Sequence, residues 1–75
     1  MKLDHIIRVS RYAKKNRGTG VLSTGEGLAA AIVLNKPTWL KASGYTIAEA
    51  INRVNDDGQT VARLLEAQRV LEAES

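Results

Sequence analysis

Seven consecutive residues, Leu28 to Leu34, read LAAAIVL and present no polar face at any turn of a helix. A surface helix keeps one polar side, whereas a helix that is apolar all round belongs in the middle of a fold. The three alanines let neighbouring helices approach closely. Upstream, Ser23 and Glu26 have the spacing of a capping box, in which each side chain bonds the other residue's backbone N–H. Downstream, Asn35, Lys36 and Pro37 end the helix, because Pro37 lacks an N–H and turns Lys36 away from helical geometry. The sequence therefore predicts a central helix over 27–35, with the remaining chain wrapped around it.

Seventy-five residues make one domain with a small core. Such a core rarely supplies more than about 3–5 kcal/mol, so self-association into a homodimer is a reasonable way to add buried area. The apolar fraction of 44% and charged fraction of 25% fit a folded domain rather than a disordered one. With no Phe, two Tyr and one Trp, aliphatic side chains and Ala must fill the interior. The absence of Cys excludes disulfides and thiolate metal sites. No run of about eighteen apolar residues predicts a membrane span, and the first twenty residues lack a signal peptide's apolar core. The expected location is the cytoplasm, with no membrane partner.

Residues 4–16, DHIIRVSRYAKKN, read as the first helix, with Asp4 as its cap and Asn16 to Gly18 as its stop. Leu3, Ile6, Ile7, Val9, Ser10 and Ala13 share one arc of a helical wheel. Arg8, Arg11 and Lys15 share the opposite arc. The alternation of Ile7, Val9 and Arg11 also permits a β-hairpin turning at 15–18. Residues 17–23 form a connector in which Val21 and Leu22 are expected to tuck under. Its glycines do not make a phosphate loop, since the Gly-Lys-Ser/Thr ending is missing.

Charge is unevenly placed along the chain. Residues 1–17 hold Lys2, Arg8, Arg11, Lys14, Lys15 and Arg17 against Asp4, a local +5. Residues 56–75 hold Asp56, Asp57, Glu66, Glu72 and Glu74 against Arg63 and Arg69, a local −3. This gradient suits a polyanion-binding face or head-to-tail pairing of copies. Arg8, Arg11, Lys14, Lys15 and Arg17 are the candidate phosphate contacts, with Tyr12 available to stack on a base. The alternative for these cations is a solvated surface whose stems cover apolar edges.

Beyond Pro37, the segment PTWLKA reads as a single short turn presenting Trp39 and Leu40, and Gly44 breaks the chain before Tyr45. Thr46 and Glu49 repeat the capping-box spacing, and Ile47, Ala50, Ile51 and Val54 share one helical face. Asn55 to Gly58 form a polar turn. A last helix over 59–72 directs Val61, Leu64, Leu65 and Leu71 inward, with Arg63–Glu66 and Arg69–Glu72 as i,i+3 pairs.

Helix, short turn, helix over residues 46–65 resembles the helix-turn-helix of small bacterial regulators and excisionases. Ile47 to Ala50 match the start of the bracing helix. Thr60, Val61, Arg63, Leu64 and Leu65 match the second helix, which in that motif enters the major groove. The resemblance implies DNA contacts from Gln59, Thr60 and Arg63. Asn55 stands where the motif usually has Gly, Asp56 where it has a buried aliphatic, and Ile51 where it has Ala. The same residues also fit an ordinary helical hairpin with a polar loop. Residues 24–54, with the aliphatic helix running into LNKPTWL and then GYTIAEAI, resemble small proteins of bacterial phages and integrative elements. That resemblance implies a mobile-element setting and carries over no functional residues.

An enzyme is not expected. His5 is the only His, no second His pairs with it for a metal, and Asp56 and Asp57 diverge as neighbours in a loop. No cofactor or metal is implied. The expectation is an all-α compact bundle of three or four short helices, acting as a non-enzymatic nucleic-acid-binding or regulatory module. The alternative is a protein-binding module, a mobile-element adaptor or inhibitor, acting through Trp39, Leu40 and Tyr45. In a small domain with few aromatics, however, a partly buried core position suits Trp39 better than an exposed anchor.

Overall fold

The computed structural model describes residues 1–74. Its five helices are α1 (Leu3–Asn16), α2 (Thr24–Val33), α3 (Pro37–Ala42), α4 (Ile47–Val54) and α5 (Thr60–Ala73), with no strand among the described residues. The chain is an all-α bundle of four helices of eight residues or more, and the short segment PTWLKA forms the fifth.

The local signals account for most of the helix ends. Ser23 Oγ accepts the Glu26 N–H at 3.3 Å, while the Ser23 N–H donates to Glu26 Oε1 at 2.9 Å. Thr46 and Glu49 repeat this exchange at 3.0 and 3.1 Å. Each box satisfies two N–H groups that a helix start would leave without partners. Pro37 occupies the first turn of α3, where its missing N–H costs nothing. Gly44, at φ 82°, closes α3 as the Gly44 and Tyr45 N–H groups donate to Lys41 O and Leu40 O. One assignment differs: Lys2, not Asp4, precedes α1 and makes no side-chain cap. Asp4 instead lies in the first turn, where its charge meets the positive end of the helix dipole.

Helix α2 packs against all four other helices. Its Leu28, Ala29, Ala30, Ala31 and Val33 are buried. Around them gather Ile6 of α1, Leu40 of α3, Ala50 and Val54 of α4, and Leu64, Ala67 and Leu71 of α5. On α1 the buried set is Ile6, Val9, Ser10 and Ala13, spaced three, one and three. That helical spacing prevails over the short alternation Ile7–Val9–Arg11, so the hairpin alternative does not form.

Two apolar expectations are corrected. The buried stripe of α5 is Thr60, Leu64, Ala67 and Leu71, while Val61 and Leu65 are 45% and 51% exposed. The stripe is offset by one residue because α5 lies against α1 and α2 together, and α4 does not cover its other side. In the connector, Val21 is 77% exposed rather than tucked under. The expected i,i+3 pairs also rearrange, since Arg69 donates to Glu66 at 3.3 Å and Arg63 to Asp57 at 2.6 Å.

Helices α1 and α5 run side by side in the same direction. At their N-terminal ends the Met1 ammonium donates to both Asp56 carboxylate oxygens at 3.1 and 2.8 Å, and Arg63 donates to Met1 O at 3.3 Å. At their C-terminal ends Arg11 Nε donates to both Glu74 oxygens at 3.1 and 3.0 Å. Helix α2 shares this direction: His5 meets Glu26 near the two starts, and Lys14 and Val33 line one cleft near the two ends. The connector must therefore run back to the start of α2. There it crosses Gly27 so closely that a Cβ would lie 3.2 Å from Thr19 Cβ.

Candidate functional site

The C-terminal ends of α1 and α2 and the last turns of α5 leave a cleft of about 670 Å³ between them. Lys14 and Arg17 line it from α1. Leu34, Asn35 and Lys36 line it from the end of α2. Trp39, on α3, forms part of its wall, and Gln68, Leu71 and Glu72 contribute from α5. Among the described residues three cations thus face one carboxylate beside one aromatic ring.

The local backbone explains why these side chains meet. Arg17 ends α1 in the left-handed region at φ 55°, with its own N–H and that of Gly18 both donating to Ala13 O. Asn35 ends α2 in the same way, also at φ 55°. A left-handed residue turns the chain sharply; it costs Arg17 about 1–2 kcal/mol, whereas Asn35 adopts it readily at a helix end. Among the described residues these are the only two non-glycines with positive φ, and both line the cleft. Strain of this kind gathers at functional sites. The carbonyls at the end of α2 are largely occupied. Ala30, Ala31 and Ile32 accept from Leu34, Lys36 and Asn35, and Val33 O accepts from Gln68 Nε2 at 3.3 Å. Little of the negative end of α2 is left to face the cleft.

Trp39 is half-buried and packs on the core along one side. Over its ring lies the Lys36 ammonium, 6.0 Å from the centroid, at the outer limit of a cation–π contact.

The expected phosphate contacts divide into groups. Lys14 and Arg17 line the cleft. Lys15 is exposed on α1. Arg11 is committed to Glu74, which raises the Arg11 pKa and lowers that of Glu74, chiefly through their hydrogen bond. Arg8 is exposed and donates to His5 Nδ1 at 3.2 Å, while His5 Nε2 lies 2.7 Å from Glu26 Oε2. Glu26 is held below the usual carboxylate range mainly by the Ser23 backbone and hydroxyl, with His5 adding to them.

The three residues expected to touch DNA from the second helix do not form one surface. Thr60 is fully buried and its hydroxyl donates to Asp56 at 3.2 Å, so it is corrected from a contact residue to a core residue. Arg63 is turned to Asp57 and Met1 O. Gln59 is exposed, and its N–H donates to Asp57 Oδ1 at 2.9 Å. Asp56 and Asp57 diverge, one toward the N-terminus and one toward Arg63, and both are held low by those partners. Helix α4 packs mainly on α2, and α5 on α1 and α2, rather than on each other.

Of the alternative surface, Leu40 is 3% exposed, which removes it from any exposed anchor. Tyr45 is half-buried against the core. Sequence reasoning did not single out Asn35, Lys36, Gln68 or Glu72. Asn35 and Lys36 read only as a stop signal, and the signal that could have found them was their position beside Trp39.

The chain matches no protein-family model, no curated protein and no solved structure. The cleft is accordingly the ground for a functional reading.

A second feature lies on the side of α5 away from α1. Ile32, Ile51, Val61, Leu64 and Leu65, with Gln68, line a shallow apolar groove of about 180 Å³. Ile47, 58% exposed, extends this apolar face along α4. Among the described residues no helix is long and apolar enough to cross a membrane.

Proposed function

We propose that the protein is a non-enzymatic nucleic-acid-binding module whose phosphate contacts centre on the cleft at the C-terminal end of the bundle. The observation that carries this reading is the meeting of Lys14, Arg17 and Lys36 around Trp39. Cations from two separate parts of the sequence converge where a polyanion backbone could lie. Arg8 and Lys15, exposed elsewhere on α1, add to the positive field that draws a polyanion in. Gln59, Thr60 and Arg63 have no part in this version, because their side chains serve the 55–60 loop and the core. Following the resemblance of residues 24–54, we take the setting to be the cytoplasm of a bacterium carrying a mobile element.

Binding of this kind releases counterions, so its logarithmic salt slope scales at about 0.7–0.9 per phosphate neutralised. A salt titration against labelled DNA measures that slope. The expected result is steep weakening with salt, and a slope reduced by one to two contacts when Lys14 and Arg17 are both changed to Ala. Changing Arg11 alone should leave the slope nearly intact, since its guanidinium already holds Glu74. No binding at low salt would sink the reading.

A second reading, self-association, is favoured by the exposure of Ile47, Val61 and Leu65 around one groove. A second copy covering this face would enlarge an otherwise small core. Sedimentation over a hundredfold range of concentration tests it, and a constant monomer mass removes it.

A further inference from the structure

We infer that the cleft takes a single-stranded segment, with one unstacked base lying on Trp39 and its phosphates held by Lys14, Arg17 and Lys36. This deepens the nucleic-acid reading and rests on it.

The size and shape of the site argue for a strand rather than a duplex. Its volume, about 670 Å³, falls within the roughly 300–1,000 Å³ of clefts that enclose small ligands. A duplex offers phosphates on a convex rod and keeps its base faces stacked inside. A ring in the wall of a concave site can meet a base face only when that base is unstacked.

Trp39 suits such a contact. Its packing against the core fixes the indole in advance, so little side-chain freedom is lost when a base arrives. Over the ring lies the Lys36 ammonium, 6.0 Å from the centroid. At that separation the cation–π attraction is weak. A base can displace the ammonium, and the flexible Lys36 stem can then carry it to a phosphate. One movement exchanges a weak contact for a stacked base and an ion pair.

The remaining groups give the site a direction. Among the described residues Glu72 is the one carboxylate lining the cleft, and it repels a phosphate placed on the α5 side. The phosphates are thereby directed to Lys14 and Arg17 on α1. Gln68, fixed by its bond to Val33 O, and Asn35 offer amide groups to a base edge. The left-handed backbone at Arg17 and Asn35 sets two of these side chains in place.

The test uses the intrinsic fluorescence of Trp39, the chain's only Trp. The full chain is titrated at low salt with 12-nucleotide DNA and RNA single strands, a 12-base-pair duplex, and pyrophosphate. Single strands should quench Trp39 strongly and bind about tenfold or more tighter than the duplex, as base–aromatic stacking implies. Quenching by the DNA strand, the RNA strand or both supports the inference and identifies which strand the site holds. Trp39→Phe should keep part of the single-strand preference. Trp39→Ala should lose the preference while retaining duplex binding, and that retained binding shows the variant is folded. Lys36→Ala should weaken strand binding with quenching preserved.

Single strands that bind without quenching, or that bind no better than the duplex, would overturn the stacking inference and leave the nucleic-acid reading standing. Equal quenching by pyrophosphate would overturn it too, by showing a site for small anions alone. Failure of every nucleic acid to bind would remove both.

Discussion

Arg17 and Asn35 stand 18 residues apart in sequence, share a φ of 55°, and line the same cleft. Each ends a helix in a geometry that glycine adopts more easily. Each therefore sets stability against the side chain it delivers.

Arg17→Gly should separate these two effects. Relief of left-handed strain, offset in part by glycine's greater entropy loss, should stabilise the protein by up to about 1 kcal/mol. The same change removes a cation from the cleft and should weaken nucleic-acid binding. Urea unfolding and the salt titration read the two effects independently. A destabilised variant would show that the Arg17 side chain contributes packing that outweighs the strain.

Ser10 is fully buried on α1, and its hydroxyl has no hydrogen-bond partner among the described residues. An unsatisfied buried polar group costs about 1–3 kcal/mol, and Ala is the better helix former. Ser10→Ala should therefore raise stability by about 1–2 kcal/mol in denaturant unfolding. A loss of stability would mean that the hydroxyl is paired in solution.

Leu64 and Leu65 are neighbours with opposite fates, one 4% and the other 51% exposed. Leu64→Ala should cost about 2–5 kcal/mol, the range for emptying a core position. Leu65→Ala should stay within about 0.5 kcal/mol in dilute protein, the range for a surface change. Equal costs would contradict the register of α5.

Stability should fall in acid. Asp56, Asp57, Glu74, Glu26 and Glu49 are all held below their ordinary pKa by hydrogen bonds made in the folded state. A carboxylate with a lowered folded pKa contributes stability that is full above its unfolded value. That contribution is lost as pH falls below about 4 and through the folded value. All of these but the half-buried Glu26 are solvent-exposed, so the effect should shrink with added salt. Urea midpoints at pH 7 and pH 3 measure it, and identical midpoints would deny the ion pairs. Asp56→Asn should flatten the profile, since it removes the carboxylate that holds the N-terminal ammonium.

Legibility in the sequence followed the range of the interaction. Both capping boxes, the Pro37 stop and the central helix depend on residues within a few positions of one another, and each was readable. The register of α5 was not. Val61 and Leu65 are as apolar as Leu64, and only the placement of α1 and α2 decides which side is buried. The cleft was half-readable. Lys14 and Arg17 stood out by charge and Trp39 by rarity, but nothing local says that residues 14–17 and 36–39 meet. The fate of Thr60 was hidden for the same reason: its burial depends on Asp56, Arg63 and Met1 arranging themselves around the start of α5.

The shared direction of α1 and α5 has a mechanical consequence. In an antiparallel pair with both chain ends at one end of the bundle, pulling on the ends opens the interface one contact at a time. Here the described chain starts at one end of the pair and finishes at the other, so tension runs along the interface and loads the Met1–Asp56 and Arg11–Glu74 clamps together. The bundle is built to be sheared rather than unzipped. A chain held at its two ends would yield in one abrupt step, when both clamps and the packing between them fail at once.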